Sequence, residues 1–168
     1  VLGEGVIAVT AMAPNFDPKE ISGAKKFCEE KDIRHLIINL GPELITKFCH
    51  NPEDRCYICK KEVFSKLRST VNDLGYYNLA DGTNRDDMDD FRPGQKALTE
   101  LKIASPLKEA GFTKADIRQG LKAMNIDMWD KPAFACLASR IPYGEEITVK
   151  KLKSVNDAES ALMDLGFR

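Results

Sequence analysis

The 168-residue chain lacks the features of membrane-spanning and disulfide-stabilised secreted proteins. It has no apolar run approaching the roughly 18–20 residues that cross a bilayer, and no secretory signal opens it. The five cysteines are odd in number and unevenly spaced, a poor basis for a disulfide framework. We therefore predict a cytoplasmic, reducing compartment with thiols that are free, metal-bound or catalytic.

The chain also lacks an excess of charge of one sign. Its formal net charge is -1, and acidic and basic residues are mixed along its length. This balance gives no general argument for a nucleic-acid partner or an anionic membrane. The first residue is Val1 rather than Met, and the last three follow a predicted helix directly. We expect a longer protein, truncated here at both ends.

Apolar segments and helical periods alternate along the chain. Strands are predicted at 6–12, 36–40, 76–80 and 103–107, and helices at 17–31, 55–74, 92–101, 113–124 and 148–165, with a shorter helix ending at Cys49. This alternation indicates an α/β domain with a parallel sheet. The first strand is a continuous run of apolar and β-branched residues, so we expect it to be buried on both faces. We place a domain boundary after residue 143, with 144–168 beginning a second domain.

Cys136 lies among small and apolar residues, with Ser139 and Arg140 shortly after it. The thiolate is the reactive form of cysteine, and arginine can hold a phosphate through two parallel hydrogen bonds. The stretch therefore suits sulfur chemistry beside a phosphate. The alternative is a core cysteine followed by a Ser-Arg pair that caps a helix or forms a salt bridge.

Cys56 and Cys59 form a CxxC pair at the start of a predicted helix. Such a pair can be a redox dithiol, half of a zinc site, or two ligands of an iron–sulfur cluster. Two unliganded cysteines are the alternative. His50 is a weak candidate for a further zinc ligand, whereas Cys28 and Cys49 fit the apolar faces of their helices and are predicted to be core.

The polar turn Asp81-Gly82-Thr83-Asn84 follows the third predicted strand, where open α/β sheets bind ligands. Its glycine backbone and threonine hydroxyl could bind a nucleotide, or it could be an ordinary turn. The nearby aspartates could hold a divalent cation or form a solvated acidic loop; they are Asp86, Asp87, Asp89 and Asp90. Lys114 and Arg118, one helical turn apart, could face an anion or solvent.

Eight short motifs follow one another along the chain: 51–61 NPEDRCYICKK, 81–84 DGTN, 92–94 RPG, 105–107 SPL, 113–118 TKADIR, 129–132 WDKP, 135–140 ACLASR and 141–144 IPYG. In this order they resemble the LarE family of ATP-dependent sacrificial sulfur transferases. These belong to the PP-loop ATP pyrophosphatases, with NAD and GMP synthetases and tRNA thiolation enzymes. The resemblance implies a Rossmann-like sheet flanked by helices, of the adenine nucleotide alpha hydrolase type.

The resemblance also implies the chemistry. ATP with Mg²⁺ would adenylylate a carboxylate of pyridinium-3,5-biscarboxylate mononucleotide, and sulfur would displace AMP to give a thiocarboxylate for the nickel-pincer nucleotide cofactor. Cys136 would be catalytic, and would join Cys56 and Cys59 in holding a [4Fe-4S] cluster that carries the sulfur. In single-cysteine members, the cysteine itself gives up its sulfur. The residues matching the nucleotide contacts are Asp81, Gly82, Thr83, Ser139 and Arg140.

A small nucleotide substrate and a homo-oligomer are implied as partners, with no membrane and no nucleic acid. The chain departs from the family pattern in lacking the Ser-Gly-Gly-x-Asp-Ser PP-loop, its strand, and most of the C-terminal catalytic domain. We therefore expect residues 1–168 alone to be inactive and to bind ATP weakly. The alternatives are another PP-loop ATPase, acting in tRNA thiolation or amidation, and a non-catalytic iron–sulfur or zinc-binding module.

Overall fold

The computed structural model describes residues 5–88, 93–132 and 134–167. Asp89 and Asp90 of the predicted acidic loop, and Arg92 of the Arg-Pro-Gly motif, lie outside the described residues. The chain divides into two compact units, one comprising the residues up to 55 together with those from 135 onward, the other 56–134. The predicted boundary after residue 143 stays a prediction.

The first unit contains a small parallel sheet. Strand β1, Ala8–Met12, pairs with β2, His35–Asn39, in a register that runs from Ala8 opposite His35 to Met12 opposite Asn39. Helix α1, Pro18–Glu30, connects the two strands and contacts both. The prediction of a mixed α/β chain with parallel strands is therefore confirmed. The expectation that β1 is buried on both faces is wrong, since all five of its residues are half-buried; β1 pairs with β2 alone in the described sheet, so its other edge is open.

Local signals set the helices of this unit. Asp17 accepts a hydrogen bond from the Lys19 N–H at 2.7 Å, and Pro18 supplies the fixed φ that suits a first helical position. Helix α2 spans Glu43–Thr46. Helix α7, Val149–Asp164, begins where the Thr148 side chain accepts from the Lys151 N–H. The buried apolar residues of the unit are Ala13, Cys28, Ile38, Leu44, Ile45, Phe48, Leu137, Ala138, Ile141, Ile147 and Leu152.

The second unit is mostly helical. Its helices are α3, Arg55–Asp73, whose first residue belongs to the other unit, α4, Gly94–Glu100, α5, Pro106–Glu109, and α6, Lys114–Ala123. The apolar period of α3 is confirmed, since Val63, Leu67 and Val71 are buried. Leu74 and Met124 continue the apolar periods of the predicted helices 55–74 and 113–124, which predicts buried side chains, but they are 48% and 62% exposed. Each follows the last residue of its helix, where the backbone leaves the helical period.

The third and fourth predicted strands are reduced to one parallel bridge between Ala80 and Ala104. Two hydrogen bonds flank it, from the Asp81 N–H to the Ala104 carbonyl at 2.9 Å and from the Ala104 N–H to the Leu79 carbonyl at 3.0 Å. The pairing stops there because Pro106 has no N–H to donate and instead starts α5. No helix in the described ranges is long and apolar enough to cross a bilayer.

Candidate functional site

Cys136 caps a short 3-10 helix, Leu137–Arg140, in the first unit. Leu137 and Ala138 are buried and fix the helix, whereas Cys136 is exposed. The Cys136 thiol donates a hydrogen bond to the Asn15 carbonyl at 3.2 Å and accepts one from the Asn15 side-chain amide at 3.4 Å. The sulfur is therefore accessible and held, which argues against the plain core cysteine that the sequence left open.

Ser139 and Arg140 are tied to the protein itself. The Ser139 hydroxyl donates to the Cys136 carbonyl at 2.6 Å and accepts from the Arg140 guanidinium at 2.8 Å. Arg140 also forms a 2.5 Å ion pair with Glu159 on α7. The salt-bridging role that the sequence offered as the alternative is thus present, and a phosphate would have to compete with Glu159 for this cation.

Arg140 borders an open cleft of about 530 Å³ beside the start of α7. Its polar lining includes Glu145, Lys150 and Lys151. Lys151 lies 3.4 Å from the Glu145 carboxylate, so two of the three cations that border the cleft are already paired. The cleft is open to solvent, and the charge at its border is largely balanced within the protein.

Cys56 and Cys59 lie near the start of α3, in the second unit. Cys56 is exposed and Cys59 is half-buried. Residues three apart share one face of a helix, so the pair can present two sulfurs to one metal centre. Helix α4 crosses closely here, because a Cβ added at Gly94 would lie 3.3 Å from the Cys56 carbonyl oxygen and 2.8 Å from Lys60 Cδ.

The Asp81 carboxylate organises the predicted nucleotide loop. It accepts hydrogen bonds from the Thr83 N–H at 3.3 Å, the Thr83 hydroxyl at 2.5 Å and the Ser105 hydroxyl at 2.7 Å. Gly82 is exposed, and no atom lies within 4 Å of a Cβ placed there. The loop is therefore a preformed turn in which the Gly82 backbone is open to a ligand. Both carboxylate oxygens of Asp81 already accept hydrogen bonds within the protein.

The acidic and basic candidates near this loop also bond within the protein. Asp86 accepts from the Lys114 N–H at 2.9 Å, and Asp87 accepts from the Asn84 N–H at 3.0 Å and lies 3.6 Å from the Lys114 ammonium. Arg118 donates to the Lys131 carbonyl at 3.1 Å. The contacts of Asp86 and Asp87 fix the start of α6. Together with the Arg118 bond, they favour a structural role for these side chains over a cation site or an anion-binding helix face.

The predicted metal ligands are divided between the two units. Within the described ranges, no group of three or more His, Cys, Asp or Glu side chains is placed to hold a metal ion. Cys56, Cys59 and the 81–83 loop belong to one unit, and the Cys136–Arg140 stretch belongs to the other. The three-cysteine cluster therefore stays a prediction. Cys28 is buried as expected, and burial raises the pKa of its thiol; Cys49 is only half-buried.

Sequence reasoning missed a clamp formed by Asn51. Its buried side chain donates to the carbonyls of Ile141 and Pro142 at 3.1 and 2.6 Å and accepts from the Arg55 guanidinium at 2.5 Å. The Arg55 guanidinium in turn stacks 4.2 Å from the centre of the Tyr143 ring. The clamp fixes the segment that follows Arg140. Its sequence signals are its place at the start of the 51–61 motif and before Pro52, and the Asn-Pro pair reads equally as an ordinary helix breaker.

No family model matches the chain. An uncharacterised protein from Synechocystis is 41% identical over 167 residues, which is 99% of this chain and 62% of the relative. An uncharacterised protein from Methanocaldococcus jannaschii is 35% identical over 125 residues, 74% of this chain and 49% of the relative.

A third relative decides the relationship. The pyridinium-3,5-bisthiocarboxylic acid mononucleotide synthase of Lactiplantibacillus plantarum is 33% identical over 168 residues, 99% of this chain and 61% of the synthase. The chain is a homologue of this synthase. The LarE resemblance of the motifs is thereby confirmed. The chain spans about three fifths of the length of the Synechocystis protein and of the synthase.

Proposed function

We propose that the protein to which this chain belongs is an ATP-dependent sulfurtransferase that makes a thiocarboxylate on a pyridinium mononucleotide. The proposal is carried by homology, over 99% of this chain, to a synthase named for such a product. The exposed and hydrogen-bonded sulfur of Cys136 supplies the chemical group that the reaction needs. The proposed substrate is pyridinium-3,5-biscarboxylate mononucleotide, in a pathway to a nickel-pincer cofactor.

The proposed reaction has two stages. A substrate carboxylate oxygen attacks the α-phosphorus of Mg²⁺-bound ATP, forming the acyl adenylate and releasing pyrophosphate. Sulfur then attacks the acyl carbon, and AMP leaves. We assign the nucleotide contacts to Asp81, Gly82, Thr83, Ser139 and Arg140. The open Gly82 backbone and the phosphate-matching geometry of a guanidinium support these assignments.

Cys136 can take part in sulfur transfer in two ways. If its own sulfur attacks, a thioester forms; loss of the Cα proton and cleavage of the Cβ–S bond then leave dehydroalanine on the protein and the thiocarboxylate on the substrate. Alternatively Cys136, Cys56 and Cys59 are thiolate ligands of a [4Fe-4S] cluster, which supplies sulfide when bound. We favour the cluster. The shared helical face of Cys56 and Cys59 and the exposure of Cys136 support it.

The finer fold assignment is part of the same proposal. We infer an adenine nucleotide alpha hydrolase-like sheet in which the β1–β2 pair and the Ala80–Ala104 bridge are completed by a strand carrying a PP-loop. The parallel direction of both pairings supports this. Backbone N–H groups of such a loop, at a helix N-terminus, suit the phosphates of ATP.

The test is product formation by the full-length protein. The protein is mixed anaerobically with ATP, Mg²⁺ and the dicarboxylate mononucleotide. The nucleotide products are then identified by mass spectrometry. We expect an oxygen-to-sulfur exchange on the substrate together with AMP and pyrophosphate. ATP turnover with no sulfur-containing product would contradict the proposal, as would a thiolated tRNA from a parallel mixture in which tRNA replaces the mononucleotide.

Arg140 offers a test of the phosphate contact. Glu159→Gln removes the charge that pairs with the Arg140 guanidinium, so we expect the KM for ATP to fall severalfold because the cation is freed for phosphate. Arg140→Ala should raise that KM. If Glu159→Gln leaves the KM unchanged while the protein stays folded, Arg140 does not contact the nucleotide.

The source of sulfur is tested separately. Under the cluster proposal, anaerobically reconstituted protein has iron–sulfur absorption that Cys56→Ser removes together with turnover, whereas Cys28→Ser leaves both intact. Under the sacrificial alternative, the peptide containing Cys136 becomes lighter by the mass of hydrogen sulfide after one turnover, and Cys56→Ser has no effect.

A further inference from the structure

Asn15 lies in the turn that follows β1, at the carboxyl end of a parallel strand. The turn is closed by a hydrogen bond from the Phe16 N–H to the Ala13 carbonyl at 3.0 Å. Asn15 is 0% exposed, so its position is set by the surrounding protein. Carboxyl ends of parallel strands are where α/β folds place ligand-binding groups.

Asn15 contacts the Cys136 segment at three points. Its backbone carbonyl accepts from the Leu137 N–H at 3.1 Å and from the Cys136 thiol at 3.2 Å. Its side-chain N–H donates to the Cys136 sulfur at 3.4 Å. One buried residue therefore fixes both the backbone beside the sulfur and the direction of the sulfur itself, across 121 residues of sequence.

The two contacts to sulfur differ in what they require of it. The bond to the Asn15 carbonyl needs the thiol proton. The bond from the Asn15 amide needs only a lone pair on sulfur, so it is retained when the sulfur bonds to an acyl carbon or to a metal in place of its proton. Both nucleophilic attack and metal ligation use cysteine without its proton. The amide is thus the contact that persists in the reactive form.

We propose that Asn15 is a positioning residue for sulfur transfer, holding the Cys136 sulfur at the surface through its side-chain amide. The proposal rests on the proposed function for the role of Cys136, but its contact with Asn15 can be tested without ATP or substrate. An amide suits the position because its N–H can donate to the sulfur. Aspartate has the same shape but only accepts.

The experiment compares alkylation rates in the reduced full-length protein. Iodoacetamide labelling of the Cys136 peptide is followed by mass spectrometry in the wild type, in Asn15→Asp and in Asn15→Ser. The rate at exposed Cys56 in the same molecules normalises each measurement. We expect Asn15→Asp to slow Cys136 labelling about tenfold or more, and Asn15→Ser to slow it less, because a lost hydrogen bond to a charged group is worth about that factor.

A matched control separates positioning from general damage. Asn39→Asp makes the same substitution at an exposed asparagine of the same unit, whose side-chain oxygen accepts from the Gly41 N–H and is kept in aspartate. It should leave the normalised Cys136 rate within about twofold of wild type. Labelling of buried Cys28 reports unfolding. An Asn15→Asp rate equal to that of wild type or faster, with Cys28 protected, would overturn the proposal.

A second measurement decides the case if the Asn15 variants unfold. In nitrogen-15-labelled wild-type protein, alkylation of Cys136 should move the side-chain amide resonance of Asn15, while that of Asn51 stays in place. An Asn15 resonance that moves no more than that of Asn51 rules the contact out. Slowed labelling of the Asn15 variants with no thiocarboxylate product from the wild type would retain the positioning contact and reject the proposed function. Unchanged labelling with a thiocarboxylate product would reject the positioning contact and retain the proposed function.

Discussion

Replacing Asn51 with alanine should cost the first unit a large share of its stability. Asn51 is buried and makes two hydrogen bonds to the backbone carbonyls that follow Arg140, together with one from the charged Arg55 guanidinium. Neutral bonds contribute about 1 kcal/mol each and a bond to a charged group about 2, so their loss removes about 4 kcal/mol.

The backbone of Asn51 adds a second cost. Its φ is 53°, in the left-handed region, which asparagine tolerates and alanine adopts at a cost of roughly 1 kcal/mol. Asn51→Ala should therefore lower the free energy of unfolding by about 5 kcal/mol, against a total of about 5–15 for a typical domain. Asn51→Gly should be milder by about 1 kcal/mol, because it relieves only the backbone cost.

Asn125 supplies the matched control. It has the same φ of 53° but is exposed, so Asn125→Ala should cost only about 1 kcal/mol. Urea denaturation of the three variants and the wild type gives the free energies of unfolding. If Asn51→Ala falls within about 1 kcal/mol of Asn125→Ala, the side-chain clamp adds no stability and our account of this segment is wrong.

Two further predictions concern the second unit. Gly94→Ala should destabilise it by about 1–2 kcal/mol, because the new methyl group meets the Cys56 carbonyl and Lys60. Gly120→Ala, in the open interior of α6, should instead stabilise it by about 0.5–1 kcal/mol. If thermal denaturation shows that both variants change the stability in the same direction, this packing is wrong. Tyr57→Phe should raise the pKa of Glu100, which the Tyr57 hydroxyl at 2.8 Å and then a lysine ammonium hold below its ordinary value. Stability linked to this lowered pKa is present above the ordinary glutamate pKa and is lost as pH falls through the lowered one, so the two proteins should converge in stability once the Glu100 carboxylate is protonated. A carboxyl NMR titration that finds the same Glu100 pKa in both proteins refutes the prediction.

Local signals in the sequence predicted most of the helices. The Thr113–Asp116 capping box starts α6, and Gly75 ends α3 with a φ of 86°, since caps depend on neighbouring residues alone. Strands depend on partners far along the chain, and the predicted third and fourth strands formed only the Ala80–Ala104 bridge. Residue type and spacing indicated which stretches are candidates for chemistry, but not which of their polar groups are already hydrogen-bonded within the protein.

Long-range contacts explain what was missed at the candidate site. The Arg140–Glu159 ion pair joins residues 19 apart, and the bond between Asn15 and Cys136 spans 121. Asn15 lies outside the eight motifs, and Asn51 opens the 51–61 motif without a chemical role of its own. Their importance follows from burial and from the specific groups they bond, which only a folded structure brings together.

The most direct test of the account is whether sulfur transfer depends on Cys136 and not on cysteines in general. Full-length wild type, Cys136→Ser and Cys49→Ser are each given ATP, Mg²⁺ and the dicarboxylate mononucleotide, and the thiocarboxylate product is quantified by mass spectrometry. The account predicts product from the wild type and Cys49→Ser and none from Cys136→Ser, with substrate adenylylation retained in all three. Undiminished product from Cys136→Ser would contradict it.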